Sequence, residues 1–180
     1  MILPTFLLLV IFLAAGISLK VADTTGERSR SVLSYLSASL SGVLFGILIS
    51  ESKISSAIML GIVIGAGASA KINKPNLVFG LAVAIVMATI CGFAIPTMWL
   101  FLAVTTFAFI DEIGHNSYVK LKSPLRWFFH YRCLLKVSIV FLTLMTVLPL
   151  VYCVGFLLFD AGYEATSALI DRLGPMPRFK

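Results

Sequence analysis

Charge is what this chain has least of. Only 12% of its 180 residues are Asp, Glu, Lys or Arg, about half the share that keeps a soluble domain solvated. A water-exposed globule is excluded. So is intrinsic disorder, which needs low hydrophobicity, because 59% of the side chains are hydrophobic and mean hydropathy is +1.04. Cysteine is scarce as well. Cys91, Cys133 and Cys153 form no C-x-x-C pair, which removes zinc ribbons, thiolate clusters and dithiol redox chemistry and leaves three small hydrophobes. Asn73, Asn76 and Asn116 lack Ser or Thr two places on, so no glycosylation acceptor marks an exterior loop. The net charge of +6 is scattered over short segments, and no nucleic-acid partner is expected.

What the chain has instead is long apolar runs. A helix needs about 20 apolar residues to cross the hydrocarbon layer, and charged punctuation marks six such runs, at 2–19, 32–50, 54–70, 77–94, 97–113 and 134–159. None alternates in the ten-residue manner of a membrane barrel. The predicted fold class is all-α: a single polytopic transmembrane helical bundle of about six spans over 1–180. An amphipathic interfacial segment is expected at 118–132 and a short tail at 160–180. The first run carries Ala14-Ala15-Gly16, the small-residue pattern of a leader cleavage site, but no basic residue precedes it. It therefore reads as a span; cleavage would leave five.

Lys and Arg fall unevenly between alternate connections. Ten lie in 20–31, 71–76 and 118–136, and four in the remaining connections and tail. The positive-inside rule then places the first set in the cytoplasm and both termini outside a cell membrane.

Gly42-x-x-x-Gly46 and Gly61-x-x-x-Gly65 occupy the second and third runs, separated by Glu51-Ser52-Lys53. Glycines four apart let helix backbones approach, and the two runs are expected to pack on each other as a tight hairpin. Gly65-Ala-Gly67-Ala-Ser-Ala70 imitates a dinucleotide fingerprint, but it closes an apolar helix rather than following a strand, so it carries no nucleotide chemistry.

Ionisable groups inside apolar runs cost about 2.5–3.5 kcal/mol each at a helix centre and persist for a reason. Asp111, Glu112 and His115 share one sector of a helix by their three- and four-residue spacing. That set suits a divalent ion or a proton relay, although Asp111 replaces the first His of a zincin motif. Gly114 reads as a helix stop, which sets both acids against the negative end of the dipole. Their compensation is expected from a cation such as Arg132 or Lys136, from a protonated partner or from a bound ion. Lys122, Arg126 and His130, with Trp127 and Tyr131, form an expected contact with anionic lipid headgroups. Asp160 and Glu164 are expected on the opposite, outer side, and Pro149 is expected to kink the sixth span.

Three functions fit. The first is a non-catalytic membrane component that packs with itself or a membrane partner through its small-residue faces. The second is a transporter or proton pathway through Asp111, Glu112 and His115. The third is a metal-assisted lipid-phosphate enzyme at the cytoplasmic interface. No residue pattern names a cofactor, a metal or a catalytic group.

Overall fold

A computed structural model describes residues 3–28, 32–68, 74–117 and 123–172. They form eight helices: α1 (Thr5–Arg28), α2 (Val32–Glu51), α3 (Lys53–Ala68), α4 (Pro75–Cys91), α5 (Met98–Ser117), α6 (Ser123–His130), α7 (Cys133–Leu144) and α8 (Leu150–Arg172). Four of them, α1, α2, α5 and α8, are long and apolar enough to cross a membrane. A fifth crossing arises if α6 and α7, bent by 79°, count as one. The all-α, membrane-compatible reading therefore holds.

Local chemistry explains the breaks. Ser52 separates α2 from α3 and caps the second helix, its hydroxyl accepting the Ser55 N–H at 3.1 Å. Pro75 opens α4, where its missing N–H costs nothing. Gly92, at φ +90°, ends the same helix in a conformation other residues avoid. The expected sixth span, 134–159, is two antiparallel helices instead of one. The chain turns at residues 145–149, with Thr146 at positive φ. Pro149 does not kink a helix; it stands before α8, and its carbonyl accepts the Tyr152 N–H at 3.0 Å. Residues 160–172 of the expected tail belong to α8, whereas 173–180 lie outside the described residues.

The glycine faces also pair differently from expectation. A Cβ on Gly42 would meet the Gly80 carbonyl at 2.3 Å, and one on Gly46 the Met87 Cβ at 2.4 Å, so α2 packs through them on α4. Gly61 and Gly65 face Val104 and Ala108 on α5. The register rises together along each pair. The consecutive pairs α2–α3 and α4–α5 thus run side by side in parallel, with α4 and α5 apart from each other among the described residues, and the partner of each small-residue face is two helices further along. The α2–α3 turn brings those two helices together chiefly near Ser52. A third parallel pair joins α1 to α8. Gly16 abuts the Phe159 carbonyl, Gly155 receives the Phe12 ring and Gly162 the Leu13 carbonyl.

These registers define two ends. At one, the Leu3 N–H and Tyr152 hydroxyl both reach the Glu51 carboxylate, and the Thr97 N–H bonds to the Lys53 carbonyl. At the other gather the C-terminal halves of α1, α3, α5 and α8 with the start of α7. Leu3 and Arg172 therefore sit at opposite ends of the bundle. The termini themselves, 1–2 and 173–180, on which the expected sidedness falls, lie outside the described residues. The core between the ends holds Phe12, Leu48, Ile58, Met59, Leu100 and Ile139, each fully buried. Phe6, Val32, Ile85, Ile90, Leu102 and Leu144 point outward and are largely exposed, as lipid-facing side chains would be.

Candidate functional site: the charged end of the bundle

Asp111 lies in the last two turns of α5, where its own helix dipole opposes it. The structure supplies a compensation that differs from the expected lysine or arginine. Its Oδ1 accepts the Leu134 N–H at 3.1 Å and its Oδ2 the Leu135 N–H at 2.7 Å. One carboxylate thereby satisfies two of the donors that the first turn of α7 would leave bare. It also faces the positive end of that helix. Asp111 is 2% exposed, so the backbone pairing is what makes its burial tolerable.

Glu112 takes the expected arginine, with Arg132 Nη2 at 3.4 Å from Oε2. Arg132 holds left-handed backbone angles, φ 48° and ψ 52°, directly before α7. For a residue with a Cβ, that conformation costs about 1–2 kcal/mol. Glu112 on one side and the Tyr163 ring on the other, 5.8 Å from the guanidinium carbon, fix the side chain that turns there. Lys136 bonds neither acid of α5. Its ammonium donates to the Tyr131 carbonyl at 2.7 Å and pairs with Asp160 at 2.9 Å, with Glu164 at 3.8 Å. Asp160 and Glu164 are thus at the Asp111 end, contrary to their expected outer position, because α8 returns alongside α7.

A third pairing lies on α1, which runs past the expected boundary at 19 and carries Lys20 and Asp23 into the same layer. Asp23 accepts from Lys74 and from the Tyr163 hydroxyl, the latter at 3.4 Å. Lys20 stands 3.8 Å from Asp23 and 5.0 Å from the Tyr163 ring centre. Asn76 bonds the Ala22 carbonyl at 2.7 Å. Sequence reasoning missed Asp23 and Tyr163. The usable signal was their apolar setting, since Asp23 follows an eighteen-residue apolar stretch and Tyr163 sits three residues after Asp160.

His115 does not join the acids. Its Nδ1 lies 3.3 Å from the Phe129 carbonyl and 3.1 Å from that of His130, and its ring stacks on His130 at 6.2 Å. Gly114 does not stop α5, which continues to Ser117; it leaves the space that the Phe129 ring occupies. Among the described residues no group of three His, Cys, Asp or Glu side chains could hold a metal ion. On α6, Arg126, Trp127 and His130 are exposed, positions that leave headgroup contact open to them. Lys122 lies outside the described residues.

Behind this layer lies a cavity of about 210 Å³. Asp23, Asp111, Glu112, Arg132, Asp160 and Tyr163 line one part of it. Phe45, Ile62, Leu81, Ala84, Phe156 and Phe159 line the rest. None of the residues around Glu51 borders it.

Comparison with known proteins finds no matching family model, no matching curated protein and no matching solved structure.

Proposed function

We propose that this chain is a multi-pass membrane component whose intramembrane charges act as an interlock between helices instead of as a reaction centre. The observation that carries the reading is the capping of α7 by Asp111, together with the Arg132–Glu112 and Lys136–Asp160 pairs. Each acid that the lipid would penalise is matched from another helix, so the charges fix which helices meet and in what register.

On this reading the crossings are α1–α5, α7 and α8. The 16-residue α3, about 24 Å long, and α4 are sheltered by their parallel partners, and the 12-residue α7, about 18 Å long, by the antiparallel α5 and α8. Among the described side chains, Lys20, Lys74, Arg126, Arg132, Lys136 and Arg172 belong to the charged end and Lys53 to the other. By the positive-inside rule that end faces the cytoplasm and the Leu3 end faces out. A transport route is the weaker reading. Glu51 does not border the cavity, and the buried core holds Phe12, Leu48 and Ile58 beside Ser50, Ser55 and Ser56, whereas a path for ions needs a continuous polar route.

Impermeant thiol labelling tests the orientation. In a background with Cys91, Cys133 and Cys153 replaced by Ala, Lys53→Cys is labelled on intact cells and Arg126→Cys only after permeabilisation. The reverse pattern overturns the proposed sidedness. Labelling of both on intact cells overturns the interlocked bundle itself.

A further inference from the structure

The turn between α6 and α7 sets one helix across the bundle. α7 packs on α5 and α8, and α6 leaves it at a bend of 79°, so α6 lies over the charged end instead of prolonging a crossing helix. Two contacts from α5 hold it there. The Phe129 ring fills the space that Gly114 leaves, and His115 Nδ1 stands 3.3 Å from the Phe129 carbonyl and 3.1 Å from that of His130. Carbonyls only accept, so this nitrogen carries a proton and ties the last turn of α6 to α5. His115 follows Asp111 by four residues, about 6 Å further along the helix. α6 therefore sits just beyond the layer of paired charges. Phe128 and Phe129 are half-buried, whereas Leu125, Arg126, Trp127 and His130 are exposed.

Charge sets Arg126 apart from its neighbours. Between Glu112 and Asp160 the sequence holds no Asp or Glu, and its charged residues are Lys120, Lys122, Arg126, Arg132 and Lys136. Glu112 meets Arg132 and Asp160 meets Lys136, but among the described residues no ion pair engages Arg126. Arg126 and His130, four apart, share one side of the helix. Trp127 and Tyr131 stand one position further on, with their rings 5.3 Å apart. Indole and phenol rings settle at the headgroup level of a bilayer, where cations meet lipid phosphates. We infer that the exposed face of α6 docks on the anionic phospholipids of the bilayer that holds the bundle, with the Arg126 guanidinium on a lipid phosphate, His130 beside it and Trp127 against the upper part of the lipid chains. A zwitterionic head offers the same phosphate but brings a cation of its own, so net attraction is reserved for an anionic head. An acidic protein segment would suit Arg126 as well, but it would not call for the aromatic pair or for a helix laid across the bundle end.

The inference rests on the membrane reading and does not need the interlock. The sequence supplies the reporter, because its two tryptophans are Trp99 and Trp127: Trp99→Phe leaves Trp127 alone, and Trp127→Phe leaves Trp99. The full chain is reconstituted in phosphatidylcholine vesicles in which a fixed fraction of the lipid carries brominated chains, on either phosphatidylglycerol or phosphatidylcholine. Brominated phosphatidylglycerol should quench Trp127 more than brominated phosphatidylcholine does. Arg126→Gln should lower that preference about fivefold, the weight of one basic residue near an anionic surface, and Arg126→Lys should retain it. Equal quenching by the two lipids overturns the docking, and this comparison needs no substitution in α6. A preference that Arg126→Gln leaves unchanged, or that Arg126→Lys also loses, overturns the charge pairing at Arg126. Loss of the preference on adding inorganic phosphate, but not chloride of equal ionic strength, overturns the lipid as occupant in favour of a free phosphate. Quenching of Trp99 without quenching of Trp127 overturns the placement of α6 and leaves the membrane reading standing, whereas quenching of neither overturns that reading itself.

Discussion

The two ends of the bundle solve one problem in different ways. At the Glu51 end a single buried carboxylate is met by a backbone N–H and a phenol, both uncharged, and it joins α2 to α1 and α8. At the opposite end carboxylates and cations alternate from helix to helix, and one acid is met by the N-terminus of α7. Where five helices and a sharp turn converge, pairing of opposite charges also selects which partner goes where. The charged end is therefore expected to be sensitive to ionic strength and to the identity of each partner.

The largest expected effect would break the frame on which both ends hang. Gly16→Leu places a side chain where a Cβ already falls 1.9 Å from the Phe159 carbonyl oxygen, and backbone cannot yield as a flexible side chain can. Overpacking of this kind costs about 1–3 kcal/mol and occasionally more; here the upper limit or beyond is expected. It should appear as the largest fall in melting temperature in detergent. Gly46→Leu, aimed at the Met87 Cβ and the Ala84 carbonyl, should follow, and it should separate α2 from α4 rather than from α3. A disulfide or crosslink placed between α2 and α4 would read that separation directly.

Next comes the cap. Asp111→Ala strips two N–H groups of their acceptor and should cost about 0.5–2 kcal/mol, the usual range for a lost N-cap, with Asp111→Asn costing less because one acceptor remains. An Asp111→Ala variant as stable as wild type would refute the role given to α7's N-terminus. A smaller effect, about 1 kcal/mol, is expected for Lys136→Met, since this pair is roughly a quarter exposed on each side and solvent screens it. Combining Lys136→Met with Asp160→Asn should recover part of the loss in a double-mutant cycle. That coupling should shrink at high salt. The smallest effect is expected for Glu51→Gln, whose remaining oxygen can keep the Leu3 N–H while its amide N–H donates to the Tyr152 hydroxyl. A Lys136–Asp160 coupling that high salt leaves unchanged would refute the ionic reading of the charged end.

The readable part of this architecture was one-dimensional. Apolar run length and charged punctuation placed α2 to α5 within a few residues, because insertion into lipid is governed by local composition. Asp111, Glu112 and Arg132 were legible for the same reason, as charges where lipid makes charge expensive. What could not be read was direction and partnership. The mostly apolar runs 137–148 before Pro149 and 150–159 after it look alike whether the chain continues through a kink or turns back. Only the match of Lys136 to Asp160 distinguishes the two. Nor does a glycine motif name its counterpart: Gly42 and Gly46 suit any small face, and Gly80 and Ala84 won over Gly61 and Gly65 because the pair α4–α5 lies parallel to α2–α3. The cap on α7 was unreadable in principle from side-chain types, since its donors are peptide groups.

The parallel arrangement of these two helix pairs has a consequence for biosynthesis. When the ribosome has finished α3, Gly42 and Gly46 face lipid with their counterpart helix not yet made, and Ala88 follows Gly46 by 42 residues. At roughly 5–20 residues per second, these glycine faces wait about 2–8 seconds for their partner. During that interval they are open to any other small-residue helix nearby, including the same helix of a neighbouring nascent chain. The short α2–α3 turn, capped by Ser52, keeps the first hairpin upright through the wait, before Thr97 and Tyr152 add their bonds to it. Lengthening the 69–73 connection should extend the delay, and it should raise the yield of entangled dimers without altering the finished fold.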